Sequence, residues 1–284
     1  MFLVVGATGT VGSEVVAALR ARGAPVRALV RDVARARATL GDGVELAEAD
    51  LGDPAAVRRA LDGVARVFLL TANSPVQLEH ERAVLDAAAA ARVERIVKVS
   101  AISAAPGSAA SFLAAHGRAE ALLERSGLPA VVLRPNFFMS ALLAAAETVR
   151  AEGRIYGAFG DGRLAMVHPG DIGEAAAAAL LEPGHGGRTY VLSGPEAVTY
   201  AEAAARLGAA LGRPVEYVDI PPDALRGALA AAGLPDWLVE GIVEIQAEVR
   251  AGIAETPTGD VERLTGRPPR DLGAYLRERA AAFE

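Results

Sequence analysis

The sequence predicts an α/β protein, a Rossmann-type doubly wound parallel sheet with a smaller, mostly helical C-terminal lobe. Three observations carry that expectation. Short apolar runs alternate with longer Ala-rich helical stretches through the first half of the chain. The runs are continuously apolar rather than alternating, as strands buried on both faces are. A glycine-rich turn follows the first run directly, and regular strand–helix alternation implies right-handed crossovers.

The predicted strands are Phe2–Val5, Val26–Val30, Val44–Ala47, Val67–Leu70, Ile96–Val99 and Val131–Leu133. Helical patterns fill the intervals at Val11–Arg22, Val33–Leu40, Pro54–Leu61, Val76–Ala91 and Ser111–Ser126. Gly23-Ala24-Pro25 and Ser126-Gly127-Leu128-Pro129 supply turns before the second and sixth strands. Beyond Arg150 the pattern loosens, with Gly and Asp clustered between Gly153 and Gly162. Leu164–Val167, Thr189–Leu192 and Val215–Ile220 read as strands, and Asp171 as the N-cap of a helix ending near Leu181. Pro221–Ala232, Trp237–Gly252 and Asp271–Phe283 read as further helices. This divides the chain into a dinucleotide-binding core, residues 1–150, and a substrate lobe, 151–284, folding with the core and returning at least one strand to its sheet.

Composition narrows the function classes. The 284 residues are 52% hydrophobic and 23% charged, which suits an ordered globular chain. A net charge of −6 leaves no electrostatic footprint for nucleic acid or an anionic membrane. With no Cys there is no disulfide scaffold, thiolate metal site or Cys nucleophile. No charge-free apolar run approaches the ~20 residues of a membrane span. Met1–Val5 is short, lacks a basic leader and runs straight into the glycine turn, so no signal peptide and a cytoplasmic location are expected. His80, His116, His168 and His185 show no metal-ligand spacing, and no metal is expected. His168 reads as shaping the loop before a helix, and His185, between two glycines, as a turn residue. Neither a Gly-x-Ser-x-Gly elbow nor a Gly-Lys-Ser/Thr phosphate loop is present.

Gly6-Ala7-Thr8-Gly9-Thr10-Val11-Gly12 sits between the first strand and the first helix. Glycines at 6, 9 and 12 permit a tight turn, close approach of backbone to a pyrophosphate, and close helix–strand packing. The helix N-terminus adds free N–H groups and partial positive charge for phosphate. After the second strand comes Arg31 rather than the Asp or Glu that holds a ribose 2′-hydroxyl. Arg31, with Arg35 on the following helix, favours a 2′-phosphate and hence NADPH over NADH. Asp32 complicates this if it turns inward, and a merely solvated basic helix start is the alternative.

Asp50-Leu51 would flank the adenine, although Asp50 equally suits a turn. Thr71-Ala72-Asn73, Ser100 and Pro135-Asn136-Phe137 follow strands at the carboxyl edge, where open α/β sheets bind ligands. Phe138 and Met139 are candidates for an apolar acceptor pocket, against a plain core role at the next helix. Trp237 either lines that pocket as a lid or anchors the lobe.

The Gly6–Gly12 segment, Val26-Arg27-Ala28-Leu29-Val30-Arg31-Asp32, Ala49-Asp50-Leu51, and Ser126-Gly127-Leu128-Pro129 with Leu133-Arg134-Pro135-Asn136-Phe137-Phe138-Met139 together resemble the NmrA-like family. The likeness runs over roughly residues 1 to 200. These are atypical short-chain dehydrogenase/reductases, a group of NADPH-dependent quinone and triphenylmethane-dye reductases that also holds non-catalytic redox sensors. The wider superfamily carries Tyr-x-x-x-Lys, in which Tyr protonates a developing alkoxide and Lys lowers its pKa. The matching stretch here is Phe112-Leu113-Ala114-Ala115-His116, so no proton donor stands at 112. Alcohol oxidation and sugar epimerisation are thereby disfavoured.

Reduction of a quinone or dye remains open, because its product is far less basic than an alkoxide. Catalysis then rests on positioning donor and acceptor. His116, with Glu120 one turn on, resembles the pattern of the quinone- and dye-reducing members and is the candidate catalytic residue; an ordinary helix-surface His is the alternative. The expected activity is NADPH-dependent hydride transfer to a quinone, dye or other electron-poor aromatic or enone acceptor. The alternative is a non-catalytic NADP(H)-sensing regulator that signals to a partner protein. Helices such as Val76–Ala91 and Ser111–Ser126 offer a face for a homodimer.

Overall fold

The computed structural model describes all 284 residues. Strand and helix alternate from the start: β1 (Phe2–Val5), α1 (Thr10–Ala21), β2 (Val26–Val30), α2 (Val33–Leu40), β3 (Glu45–Glu48), α3 (Pro54–Ala60), β4 (Arg66–Leu69), α4 (Gln77–Ala91), β5 (Arg95–Val99), α5 (Ser111–Arg125) and β6 (Ala130–Pro135). A short 3-10 helix, Met139–Ala145, leads into α6 (Ala146–Glu152) and β7 (Arg154–Gly157). Then come α7 (Pro169–Leu181), β8 (Thr189–Leu192), α8 (Tyr200–Leu211), β9 (Glu216–Asp219), α9 (Pro222–Ala231), α10 (Asp236–Arg250), α11 (Asp260–Thr265) and α12 (Leu272–Glu278).

Seven strands form one sheet in the order β3-β2-β1-β4-β5-β6-β8. Every pairing in it is parallel. The order reverses between β1 and β4, which opens a crevice above their carboxyl ends. One apolar layer packs α1, α2, α7 and α11 on one face of the sheet, through residues such as Val15, Leu19, Ile172, Leu180 and Leu264. The other face is covered by α3, α4 and α5, through Val57, Leu85 and Leu123 among others. A third cluster, including Val149, Ile155, Phe159, Leu207, Val249 and Tyr275, forms a second, smaller core, called the lobe below. No helix is long and apolar enough to cross a membrane.

The predicted core strands and helices all form, with ends moved by one or two residues. The Thr189–Leu192 strand joins the main sheet beside β6. Three later expectations are corrected.

Leu164–Val167 is fully buried but is not a strand, because its backbone partners lie on different segments. Leu164 exchanges hydrogen bonds with Val198, Ala165 N–H donates to Ala254, and Val167 N–H donates to Phe137. Only isolated bridges result. The cap of α7 is His168, whose Nδ1 accepts Gly170 N–H at 2.9 Å. Asp171 lies inside the first turn, where Arg270 donates to it from its backbone N–H at 2.8 Å and from its guanidinium at 2.6 Å.

The 215–220 run forms a strand as expected, β9, which pairs with β7 outside the main sheet. The closing 271–283 helix is shorter than predicted: Asp271 caps α12, and a separate short turn of 3-10 helix ends the chain. Helices α6, α8 and α11 and strand β7 escaped the sequence reading. For α8 a signal was present, since Thr199 and Glu202 form a capping box.

Candidate functional site

The glycine turn takes its shape from contacts a side chain would forbid. Gly6 adopts φ +78°, and a Cβ there would meet the Leu70 carbonyl oxygen at 2.4 Å. At Gly12 a Cβ would lie 2.0 Å from the Gly6 oxygen. These two glycines let α1 seat against the end of β1. Its N-cap, Gly9, supplies no side-chain acceptor, so the first-turn amides are left without a side-chain cap, and Thr10 and Val11 line the cleft.

From this turn a continuous cleft of about 920 Å³ extends along the carboxyl edge of the sheet. The strand order fixes its layout. Asp50 and Leu51 follow β3, Arg31 follows β2, and Gly6, Thr8 and Gly9 follow β1. Thr71, Ala72 and Asn73 follow β4, Ser100 follows β5, Pro135 ends β6, and Asn136, Phe137 and Phe138 follow it. His116, Phe112 and Leu113 join from α5 and Ile245 from α10. The structure therefore brings most of the sequence candidates to one surface.

Some candidates lie elsewhere or have other work. Gly12 is buried behind the turn. Arg35 is exposed away from the cleft. Its backbone N–H donates to Asp32 Oδ1 at 2.9 Å, which makes Asp32 the cap of α2 and turns that carboxylate from the crevice. Asp50 faces the cleft but also forms the turn considered for it, accepting Gly52 N–H at 2.7 Å. Asn136 is fully buried; its Nδ2 donates to the Ala254 carbonyl at 2.9 Å and its Oδ1 accepts Phe137 N–H at 2.7 Å. It ties β6 to the lobe as well as bordering the cleft. Met139 is only 1% exposed and belongs to the lobe core, because the 3-10 helix turns it inward. Trp237 does not line the cleft; it meets the Phe112 ring edge-on.

Beneath the β4–β5 end lies a buried ion pair that the sequence reading missed. Lys98 on β5 and Glu81 on α4 are both fully buried, with Nζ 2.7 Å from Oε2 and 2.9 Å from Oε1. Thr71 Oγ1 donates to the same Oε1 at 2.9 Å. Burial opposes ionisation of Glu81, but the Lys98 ammonium and the donors from Lys98, Thr71 and Gln77 prevail and lower its pKa. The signal was a lysine inside the apolar run Ile96–Val99.

His116 is buried rather than a surface residue, and its Nδ1 has no protein partner. Burial first, then the nearby Lys98 ammonium, lowers its pKa from 6.5 to about 4, against the pull of Glu81 and Glu120. Glu120 is itself engaged by Arg134, at 2.9 and 2.5 Å. The imidazole is therefore neutral near pH 7. The Ser100 hydroxyl is likewise buried and unpartnered. Unpaired buried polar atoms carry a desolvation cost, so two of them bordering one cleft mark a place suited to a polar atom of a ligand.

A parallel doubly wound sheet with a glycine cradle at its switch point defines a dinucleotide-binding α/β protein. The chain belongs to the NmrA-like family, whose model matches residues 1–268. It is 38% identical to the NAD(P)H azoreductase of Xenophilus azovorans, covering 100% of this chain and 99% of that one. It is 40% identical to the (4-alkanoyl-5-oxo-2,5-dihydrofuran-3-yl)methyl phosphate reductase of Streptomyces griseus, over 100% of this chain and 99% of that protein. Among solved structures, an NADPH-dependent quinone oxidoreductase from Escherichia coli complexed with NADPH superposes with a TM-score of 0.89 at 30% identity, covering 98% of this chain and 99% of that one.

Proposed function

We propose that the protein is an NADPH-dependent reductase that delivers hydride to an apolar, electron-poor aromatic or enone acceptor such as a quinone or azo dye. One observation carries this: the cleft is a backbone cradle with an arginine at one end and an apolar, aromatic wall at the other. Gly6, Thr8, Gly9, Thr10 and Val11 line the stretch of cleft that would take a pyrophosphate, Arg31 would take a 2′-phosphate, and NADPH bound there would supply the hydride. A regulator that only senses NADP(H) has less support, since the two full-length relatives at 38% and 40% identity are named as reductases.

At the other end this chain's residues orient and shield the acceptor. Phe137, Phe138 and Ile245 exclude water from the reacting carbons. Neutral His116 and Ser100, unpartnered at the cleft, would hydrogen-bond an acceptor carbonyl oxygen as it gains the electron pair. The final proton comes from solvent, because a hydroquinone oxygen is a much weaker base than an alkoxide. No lysine or arginine lines this end, so a phosphorylated acceptor, of the kind in the name of the Streptomyces relative, is disfavoured. A cytoplasmic homodimer pairing through α4 and α5 belongs to the same reading, and light scattering tests the assembly.

The deciding assay follows NADPH oxidation with p-benzoquinone, menadione and an azo dye beside a no-acceptor control. Turnover is expected with at least one of them, and faster with NADPH than with NADH. Tight NADPH binding with no acceptor above background removes the reductase reading.

A further inference from the structure

The side chain at position 112 is wedged rather than free. A Cβ built on Gly241 would lie 2.2 Å from Cζ and 2.4 Å from Cε1 of Phe112, so the ring tip rests on the backbone of α10. Trp237, Gly241 and Ile245 recur every four residues and so share one side of that helix. Trp237 meets the Phe112 ring at 6.5 Å and 72°, while Ile245 joins the cleft wall. One residue before Ile245, Glu244 accepts Ser111 N–H at 2.8 Å. The cap residue of α5, Ala110, has no acceptor of its own, so this carboxylate from the lobe caps the helix. Thus α10 grips the first turn of α5 from three residues, with Phe112 set between them and facing the cleft.

We infer that the Phe112–Gly241 contact sets the size of acceptor the cleft admits. This rests on the reductase reading above. The Phe ring turns about only two bonds. Any atom added at 241 closes the space towards α10, and the remaining exit is into the cleft, one helical turn from His116. Retreat of α10 is opposed by the Glu244 cap and the Trp237 contact. Removal of the ring extends the pocket as far as the Gly241 backbone. Acceptor size, rather than the cofactor, should respond to this pair.

The test compares Gly241→Ala, Phe112→Ala and the double variant through the ratio of kcat/KM for menadione to that for p-benzoquinone. One methylene in an apolar pocket discriminates by about 10-fold or more. Gly241→Ala should lower the ratio about tenfold, and Phe112→Ala should raise it. The double variant should stay close to Phe112→Ala, because without the ring the new methyl has nothing to push into the cleft. An equal loss with both quinones in Gly241→Ala, or a ratio unmoved in both single variants, overturns the inference.

If Gly241→Ala does not fold, a ratio unchanged in Phe112→Ala alone overturns it. Trp237 is the only Trp and touches Phe112, so its quenching by each quinone on the NADP⁺-loaded protein reports binding without turnover. A wild type that binds quinones but reduces none would sink the reductase reading, while the ratio of dissociation constants still tests the gauge.

Discussion

Under β1 and β2 the cleft is built around a glycine turn and a helix N-terminus, whereas under β5 and β6 it is built from larger side chains of separate elements. The first end depends on two glycines whose places could hold no Cβ, on first-turn amides, and on one arginine. The second gathers His116 and Phe112 from α5, Ser100 after β5, Phe137 and Phe138 after β6, and Ile245 from α10. Backbone geometry tolerates little variation and suits an invariant ligand. A wall of side chains on separate elements can be altered one residue at a time. The contrast explains how one fold keeps a single cofactor while its acceptors diversify.

The sharpest way to break this comparison is to remove the charge that underlies the side-chain end. Lys98→Met strands the Glu81 carboxylate in the interior with Thr71 and Gln77 as its only donors. Breaking a buried pair in this way costs about 3–5 kcal/mol of stability. Replacing both partners, as Lys98→Met with Glu81→Gln, should recover most of that loss, because no unpaired charge remains. Urea midpoints for the wild type, single and double variants decide it. A single variant within about 1 kcal/mol of wild type would show that the pair is solvated in solution.

The same contrast governs what could be read from the sequence. The glycine turn, Arg31 and the core strands are legible because their spacing along the chain encodes their geometry. Lys98 and Glu81 lie 17 residues apart on a strand and a helix, and only the tertiary fold brings them together. Ile245 and Gly241 reach the acceptor end from more than a hundred residues beyond α5, so no local pattern announces them. Met139 misled because aromatic and apolar neighbours at 137–139 look alike, and the direction of the following 3-10 helix decides which of them turn inward. Arg35 misled for a similar reason: the Asp32 cap sets the start of α2, and the helix carries Arg35 away from the crevice.

A smaller effect follows from His116. Its folded pKa, about 4, lies below the 6.5 of an ordinary imidazole. Above pH 6.5 both folded and unfolded forms are neutral and the stability is whole. As pH falls from 6.5 to 4 the unfolded chain takes up a proton that the folded one refuses, and stability drains away. At 1.36 kcal/mol per unit, the loss is of the order of 3 kcal/mol in all. His116→Gln should flatten this part of the profile. Unfolding free energies of both proteins at about pH 7 and pH 4.5 expose the difference, and parallel profiles would show that the imidazole is solvated.

The smallest effect sharpens the comparison at the other end, where a side chain does contribute. Arg31 is exposed at the lip of the cleft and follows β2, where a ribose 2′ substituent would stand. A charge-assisted hydrogen bond is worth about 1.5–3 kcal/mol, or roughly 10- to 100-fold in affinity. Arg31→Ala should therefore weaken NADPH by that factor and leave NADH nearly unchanged, since the backbone cradle serves both. Arg35→Ala, which alters a guanidinium outside the cleft, should change neither by more than about twofold. The dissociation constants of both cofactors for the wild type and the two variants, from fluorescence titration, separate a specific phosphate contact from general electrostatic attraction. An attraction spread over the basic start of α2 would weaken NADPH in both variants by similar amounts, and higher salt would erase the difference. A loss confined to Arg31 and to NADPH leaves the cradle as the common element and this one arginine as the discriminating one.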